Sequence, residues 1–253
     1  MNIYLYLITI LTLSSSYLHA EYGLEDVERF KRWAEKGNAN DQYKMGHYYL
    51  FECWGEDDKK GMDLLEKSAA QGYSKAFCVL GNCYQQGLGV DKDLKKAIAN
   101  YKKSAELGYA VAQRQMGNLY QNGYGVEKNL TKAFEWYLKA ANQDYGQAQV
   151  DVGFCLTNGF GVKKDEAKAF MWFKKAANQG YALGQLNVAI CYTSGKGVTV
   201  NDAEAVKWLT FASHQNNSTA QHLLGKRYYY GNGVKKDHAK AAVLMRRSSR
   251  NDH

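Results

Sequence analysis

From residue 37 onward, apolar and polar positions recur in blocks of about 36 residues, each holding two stretches with helical spacing. In the block from Gly108 to Gln143, Ala112, Met116, Gly117 and Tyr120 fall at steps of four, one and three, on one face of a helix. A second stretch places Ala133, Trp136, Tyr137, Ala140 and Ala141 on another helical face, repeated in the next block as Ala169, Trp172, Phe173, Ala176 and Ala177. Alternating bulky and small residues on such faces predict interdigitating hairpins. Between the two stretches runs Gly123-Tyr124-Gly125-Val126, echoed at Gly87-Gly89-Val90, Gly159-Gly161-Val162, Gly195-Gly197-Val198 and Gly231-Gly233-Val234. Paired glycines permit positive φ or close backbone approach, and the valine is expected to tuck back onto the hairpin. Gly117 itself recurs as Gly46, Gly81, Gly153 and Gly225. A glycine inside a helix costs about 1 kcal/mol against alanine, so its repeated use predicts a partner helix packed hard against it.

Six units follow, over 37–71, 72–107, 108–143, 144–179, 180–215 and 216–250. The chain of 253 residues contains no proline and 24 glycines, so glycine alone punctuates a continuous helical array. Residues 1–20 stand apart. Ile3 to Leu13 is an apolar run, followed by three serines and then Leu18-His19-Ala20. The run is too short to span a bilayer comfortably and reads as a cleaved signal peptide, although no Lys or Arg precedes it. Export to a periplasm or beyond, without a stable membrane anchor, is the expectation. Over 21–36, Val27, Phe30 and Ala34 predict a leading helix that caps the array.

The pattern A-x3-L-G-x2-Y-x2-G-x-G-V, then K-A-x2-W-Y-x-K-A-A, resembles the Sel-1-like repeat family, relatives of the tetratricopeptide repeats, over residues 37 to 250. The resemblance implies an all-α fold, a right-handed α/α superhelical solenoid of tandem helix-turn-helix repeats, used mainly as a protein-interaction scaffold. The end units depart from it. The first carries Glu52, Cys53, Trp54, Gly55 and Glu56 in place of Gly-x-Gly-Val, and the last has Leu244 and Met245 where aromatics are usual.

If the first helices line a concave surface, as the resemblance implies, a helical wheel gives the positions facing a partner. They are Lys75 and Asn82 in the second unit, and Arg114, Asn118, Gln121 and Asn122 in the third. Phe154 and Asn158 follow in the fourth, Ile190 in the fifth, and Lys226 and Tyr230 in the sixth. Amides there could bond a peptide backbone of any sequence, and Phe154 and Ile190 could anchor a side chain. The competing expectation is a merely solvated face, with Phe154 packed on a neighbouring helix.

Charge is uneven. Glu21 to Glu66 holds 12 acidic and 7 basic residues, whereas Lys226 to Arg250 holds 8 basic residues and only Asp237 against them. Such ends would steer an acidic partner or favour self-association; alternatively, Arg246, Arg247 and Arg250 only complement a helix C-terminus. Nucleic acid is not expected, since the cations are not interleaved with aromatics along a groove. Cys83, Cys155 and Cys191 share one first-helix position, so they read as small buried residues, while Cys53 is the expected exposed thiol. Cys78 and Cys83 point apart on one helix, and no second helix carries a cysteine to pair with them. No H-E-x-x-H, C-x-x-C or Gly-Lys-Ser/Thr loop occurs, nor S-x-x-K, S-D-N or K-T-G. The expectation is a non-catalytic scaffold without cofactor or metal that holds a protein or peptide, in one version an immunity-type inhibitor of a secreted effector. Its rivals are an envelope hydrolase, such as a β-lactamase-like enzyme, and a self-associating structural protein.

Overall fold

The computed structural model describes residues 24–51 and 57–251; the signal-peptide segment and Cys53 lie outside them. Among the described residues there are thirteen helices and no strand. A leading helix, α1 (Leu24–Glu35), precedes six hairpins. These are α2 (Ala39–Phe51) with α3 (Asp58–Ala70), α4 (Ser74–Gln86) with α5 (Leu94–Glu106), and α6 (Ala110–Asn122) with α7 (Leu130–Ala141). The remaining three are α8 (Gly146–Asn158) with α9 (Glu166–Asn178), α10 (Ala182–Ser194) with α11 (Asp202–His214), and α12 (Ser218–Tyr230) with α13 (His238–Asn251). No described helix is long and apolar enough to cross a membrane. The described residues divide into two compact units, with the boundary between Met116 and Gly117 within α6.

Local chemistry sets the helix ends. Gly87, Gly159, Gly195 and Gly231 take left-handed φ of +73° to +78° and end the first helices, each N–H returning to the carbonyl four residues back. The second glycine of the loop does a different job. A Cβ at Gly161, Gly197 or Gly233 would run into the backbone of Leu130, Glu166 or Asp202, at the start of the preceding second helix. In the second to fifth hairpins the second helix then opens on a side-chain cap: Asp93, Asn129, Asp165 and Asn201 accept the N–H three residues on.

In the first unit, Phe30 and Ala34 of α1 bury against Met45 and Tyr49, and a second cluster joins Leu50, Met62, Leu65, Val79, Leu80 and Cys83. In the second unit the core is built from Val150, Val152, Leu156, Phe173, Val188, Leu209 and Leu224. Trp136 and Trp172 are only half-buried rather than core; Lys139 and Lys175 lie over their rings at 4.1 and 4.3 Å.

Buried glutamines join successive hairpins. Gln149, fully enclosed, turns its amide toward the Ala141 carbonyl at 3.4 Å and the Asp144 carboxylate at 3.2 Å, and its oxygen accepts from Gln179 at 3.0 Å. Gln185 does the same between the Ala177 carbonyl at 3.5 Å and Gln215 at 2.9 Å. Gln221 reaches the Ser213 carbonyl at 3.3 Å. In the first unit, Gln42 takes this place with Ala34 and Gln71. The helical wheel gave no hint of these rungs, although glutamine recurs at one register.

Candidate partner-binding surface

Gly46, Gly81, Gly117, Gly153 and Gly225 each seat a large side chain from the second helix of their own hairpin. A Cβ at Gly81 would lie 2.6 Å from the Tyr101 ring, and Gly117 stands in the same relation to Tyr137. With no side chain in the way, each tyrosine crosses the first helix and its hydroxyl emerges one and four residues beyond the glycine. The Tyr101 hydroxyl lies 2.7 Å from Asn82 Oδ1 and 2.6 Å from Gln85 Oε1, its one proton shared between them. That of Tyr137 lies 2.8 Å from Asn118 Oδ1 and 2.9 Å from Gln121 Oε1. Burial raises the Tyr101 pKa and keeps its hydroxyl protonated. Three of the wheel-assigned amides, Asn82, Asn118 and Gln121, are therefore half-buried receivers of a tyrosine proton.

The fourth and fifth hairpins change all of these positions together. Phe173 and Leu209 replace the tyrosines, Phe154 and Ile190 replace the asparagines, and Thr157 and Thr193 replace the glutamines. Both threonine hydroxyls donate into their own helix, to the carbonyls of Gly153 and Ala189 at 2.9 Å each. Phe154 packs edge-on against Phe173 with centroids 5.5 Å apart, yet it is 38% exposed, and Ile190 is 39% exposed. A pocket of about 220 Å³ opens here. Phe154, Ala169, Phe173, Ile190 and Cys191 form its apolar lining, and Asn158, Asn187, Glu166 and Lys196 supply polar lining. Asn158 and Asn187 donate to backbone carbonyls of their own helices, at 2.9 and 2.7 Å.

The structure thus brings Phe154, Asn158 and Ile190 to one pocket. Asn118 and Gln121 meet on one hydroxyl, and Asn82 meets Gln85 on another. Lys75 is exposed, Arg114 half-buried, and Asn122 exposed with its amide on the Asn118 carbonyl at 2.9 Å. Lys226 is exposed, and Tyr230 is 59% exposed and edge-on to Tyr229. Arg227 differs from the cations around it. It is buried, ion-paired with Asp202, and donates to Thr193 Oγ1 at 2.5 Å.

The thiols of Cys78, Cys83, Cys155 and Cys191 are free and buried, and burial pushes their pKa values up to about 11 or 12, far from a nucleophilic thiolate. Among the described residues no cluster of His, Cys, Asp and Glu could hold a metal ion. A cavity of about 370 Å³ in the first unit, between α1, α2 and α3, has Met45, Leu64 and Tyr49 in its wall. Lys60 there sits 4.5 Å from the centre of the Tyr49 ring, and Lys67 pairs with Asp63 at 2.6 Å.

No curated protein matches the chain. Among solved structures it is similar to c5321, a protective antigen of uropathogenic Escherichia coli strains, with 32% identity and a TM-score of 0.81 over 90% of this chain. The chain spans only 49% of that protein's length. A Sel1 repeat protein from Oxalobacter formigenes is 29% identical with a TM-score of 0.76, over 83% of this chain and 85% of its own. An immunity protein from Pseudomonas aeruginosa shares the fold at 21% identity and a TM-score of 0.52, over 85% of this chain and 82% of its own. The Sel1 repeat profile matches six times, at residues 39–73, 78–109, 110–145, 146–181, 182–217 and 218–253. Repeat period, glycine seats and profile agree, and the chain belongs to the Sel1 repeat family.

Proposed function

We propose that this chain is an exported, non-catalytic scaffold that holds a protein or peptide partner on the outer face of its first helices. The observation that carries this reading is the pocket between the fourth and fifth hairpins, where Phe154 and Ile190 remain more than a third exposed. At about 220 Å³ it falls below the roughly 300–1,000 Å³ usual for a small-molecule or cofactor site, and it suits one large apolar side chain of a partner. Deeply buried thiols with raised pKa values offer no nucleophile at that surface. Within the class, the narrower reading is an inhibitor that sequesters a secreted effector. Its support is the Sel1 repeat match together with an immunity protein among those sharing the fold.

Affinity capture from periplasmic extract tests this. The whole chain is expressed as bait in three forms: unchanged, with Phe154→Ser and Ile190→Ser together, and with Val243→Ser on the exposed side of α13 as control. The bait recovered from the periplasm should begin at Glu21, and the unchanged and Val243→Ser forms should retain one partner that the double variant loses. Retention of the same partner by a folded double variant refutes the surface assignment, and a bait that stays in the cytoplasm still beginning at Met1 refutes export.

A further inference from the structure

Phe154, Ile190 and Lys226 occupy equivalent positions on α8, α10 and α12, so the row reads apolar, apolar, cationic within the second unit. Arg227 ties α12 to α10 through Thr193 Oγ1 at 2.5 Å, which sets Lys226, one residue earlier, on the helix beside Ile190. Along the last repeat the charge is one-sided. Lys235, Lys236, Lys240, Arg246, Arg247 and Arg250 are all exposed, and Lys196 lines the pocket itself. Opposing charge is scarce or occupied. The Asp237 carboxylate caps the N–H of Lys240 at 2.9 Å, Asp202 is paired with Arg227, and Glu204 bonds Trp208 and Lys207. Glu166 at the pocket faces the local excess.

We infer that the segment seated at Phe154 and Ile190 is acidic: one large apolar residue enters the pocket, and carboxylates beside it lie over Lys196 and Lys226. This deepens the scaffold reading and rests on it. Adjacent packed helices stand roughly 10 Å apart, which an extended chain covers in about three residues. The recognised pattern is therefore an apolar residue with Asp or Glu about three positions along. Carboxylates on this rim add modest affinity each, but together they set orientation and hasten encounter, and salt weakens both.

The test uses fluorescent dodecapeptides in which one leucine is followed by a run of glutamate, of serine or of lysine, measured by anisotropy against the whole chain. The glutamate peptide should bind about tenfold more tightly than the serine peptide, with the lysine peptide weakest. Its binding should fall as salt rises. Lys226→Glu should erase most of the preference, Ile190→Ser should weaken all three peptides, and Lys163→Glu, an exposed site outside the last repeat, should change little. Equal binding of the three peptides, binding by none, or an unchanged preference in Lys226→Glu overturns the inference. So does a single-stranded oligonucleotide that binds more tightly than the glutamate peptide and ignores Ile190→Ser, since the cations would then serve a polyanion without the pocket. If the captured partner is still lost on changing Phe154 and Ile190 while peptide charge makes no difference, only the acidic reading falls.

Discussion

The third and fourth hairpins share a backbone plan and differ in how they finish the same contact. In the third, Tyr137 lies across Gly117 and gives its hydroxyl to Asn118 and Gln121. In the fourth, Phe173 lies across Gly153, and the two receiving positions become Phe154 and Thr157. A buried hydroxyl needs an acceptor, and leaving one unmatched costs about 1–3 kcal/mol. Once the hydroxyl is gone the acceptors lose their task, and an apolar side chain can stand there at little cost. The first hairpin is a third case. Leu65 lies over Gly46, so no tyrosine reaches His47, whose Nδ1 is buried without a partner beside Phe51 and Tyr43.

The largest expected effect comes from breaking the seat itself. Gly153→Ala drives a Cβ into the Phe173 ring and should destabilise the second unit by about 3 kcal/mol in urea denaturation. The fifth hairpin carries Ala189 and Leu209 at these two positions, so adding Phe173→Leu should recover at least half of the loss; no recovery would mean that size is not what is matched. Next comes acid. Burial holds His47 neutral, its pKa lowered from 6.5 to about 4. Below pH about 6.5 the unfolded chain takes up a proton that the folded chain refuses, so stability from this group is complete above that pH and declines toward pH 4. The full loss is about 3 kcal/mol. His47→Leu should flatten this part of the stability–pH curve, and an unchanged curve would show that His47 meets a partner or water. Smallest is Tyr137→Phe, which should cost about 1 kcal/mol because the half-buried amides can turn to water. Adding Asn118→Leu should bring the third hairpin toward the fourth and leave the total no larger.

The repeat, the helix faces and the packing role of the Gly117 register were legible because period and backbone constraint are properties of single positions. A glycine at one register in five hairpins states that something lies against it, and the Tyr, Phe, Leu or Met opposite it does. The amides were less legible. A wheel sorts Asn118 and Gln121 by angle about their own helix, but it has no knowledge of a side chain 16 or 19 residues later that crosses over that helix. The acceptors differ between hairpins in step with the tyrosine, and that pairing was the readable signal. Phe154 packs on Phe173, as the solvated-face expectation had it, and also stands in the pocket wall. Arg227, counted among the basic residues of the last repeat, is instead ion-paired with the preceding hairpin, which only the neighbouring Asp202 and Thr193 could reveal.

The glutamine rungs have a mechanical consequence. Gln149 and Gln185 each hold the closing carbonyl of one helix while accepting from the end of another. A tug on the second unit cannot lift a single helix without shearing a rung and stranding an amide in the hairpin left behind. Extension should therefore proceed in hairpin-sized slips, each resisted until its rung parts, so the unit stretches as a ratchet.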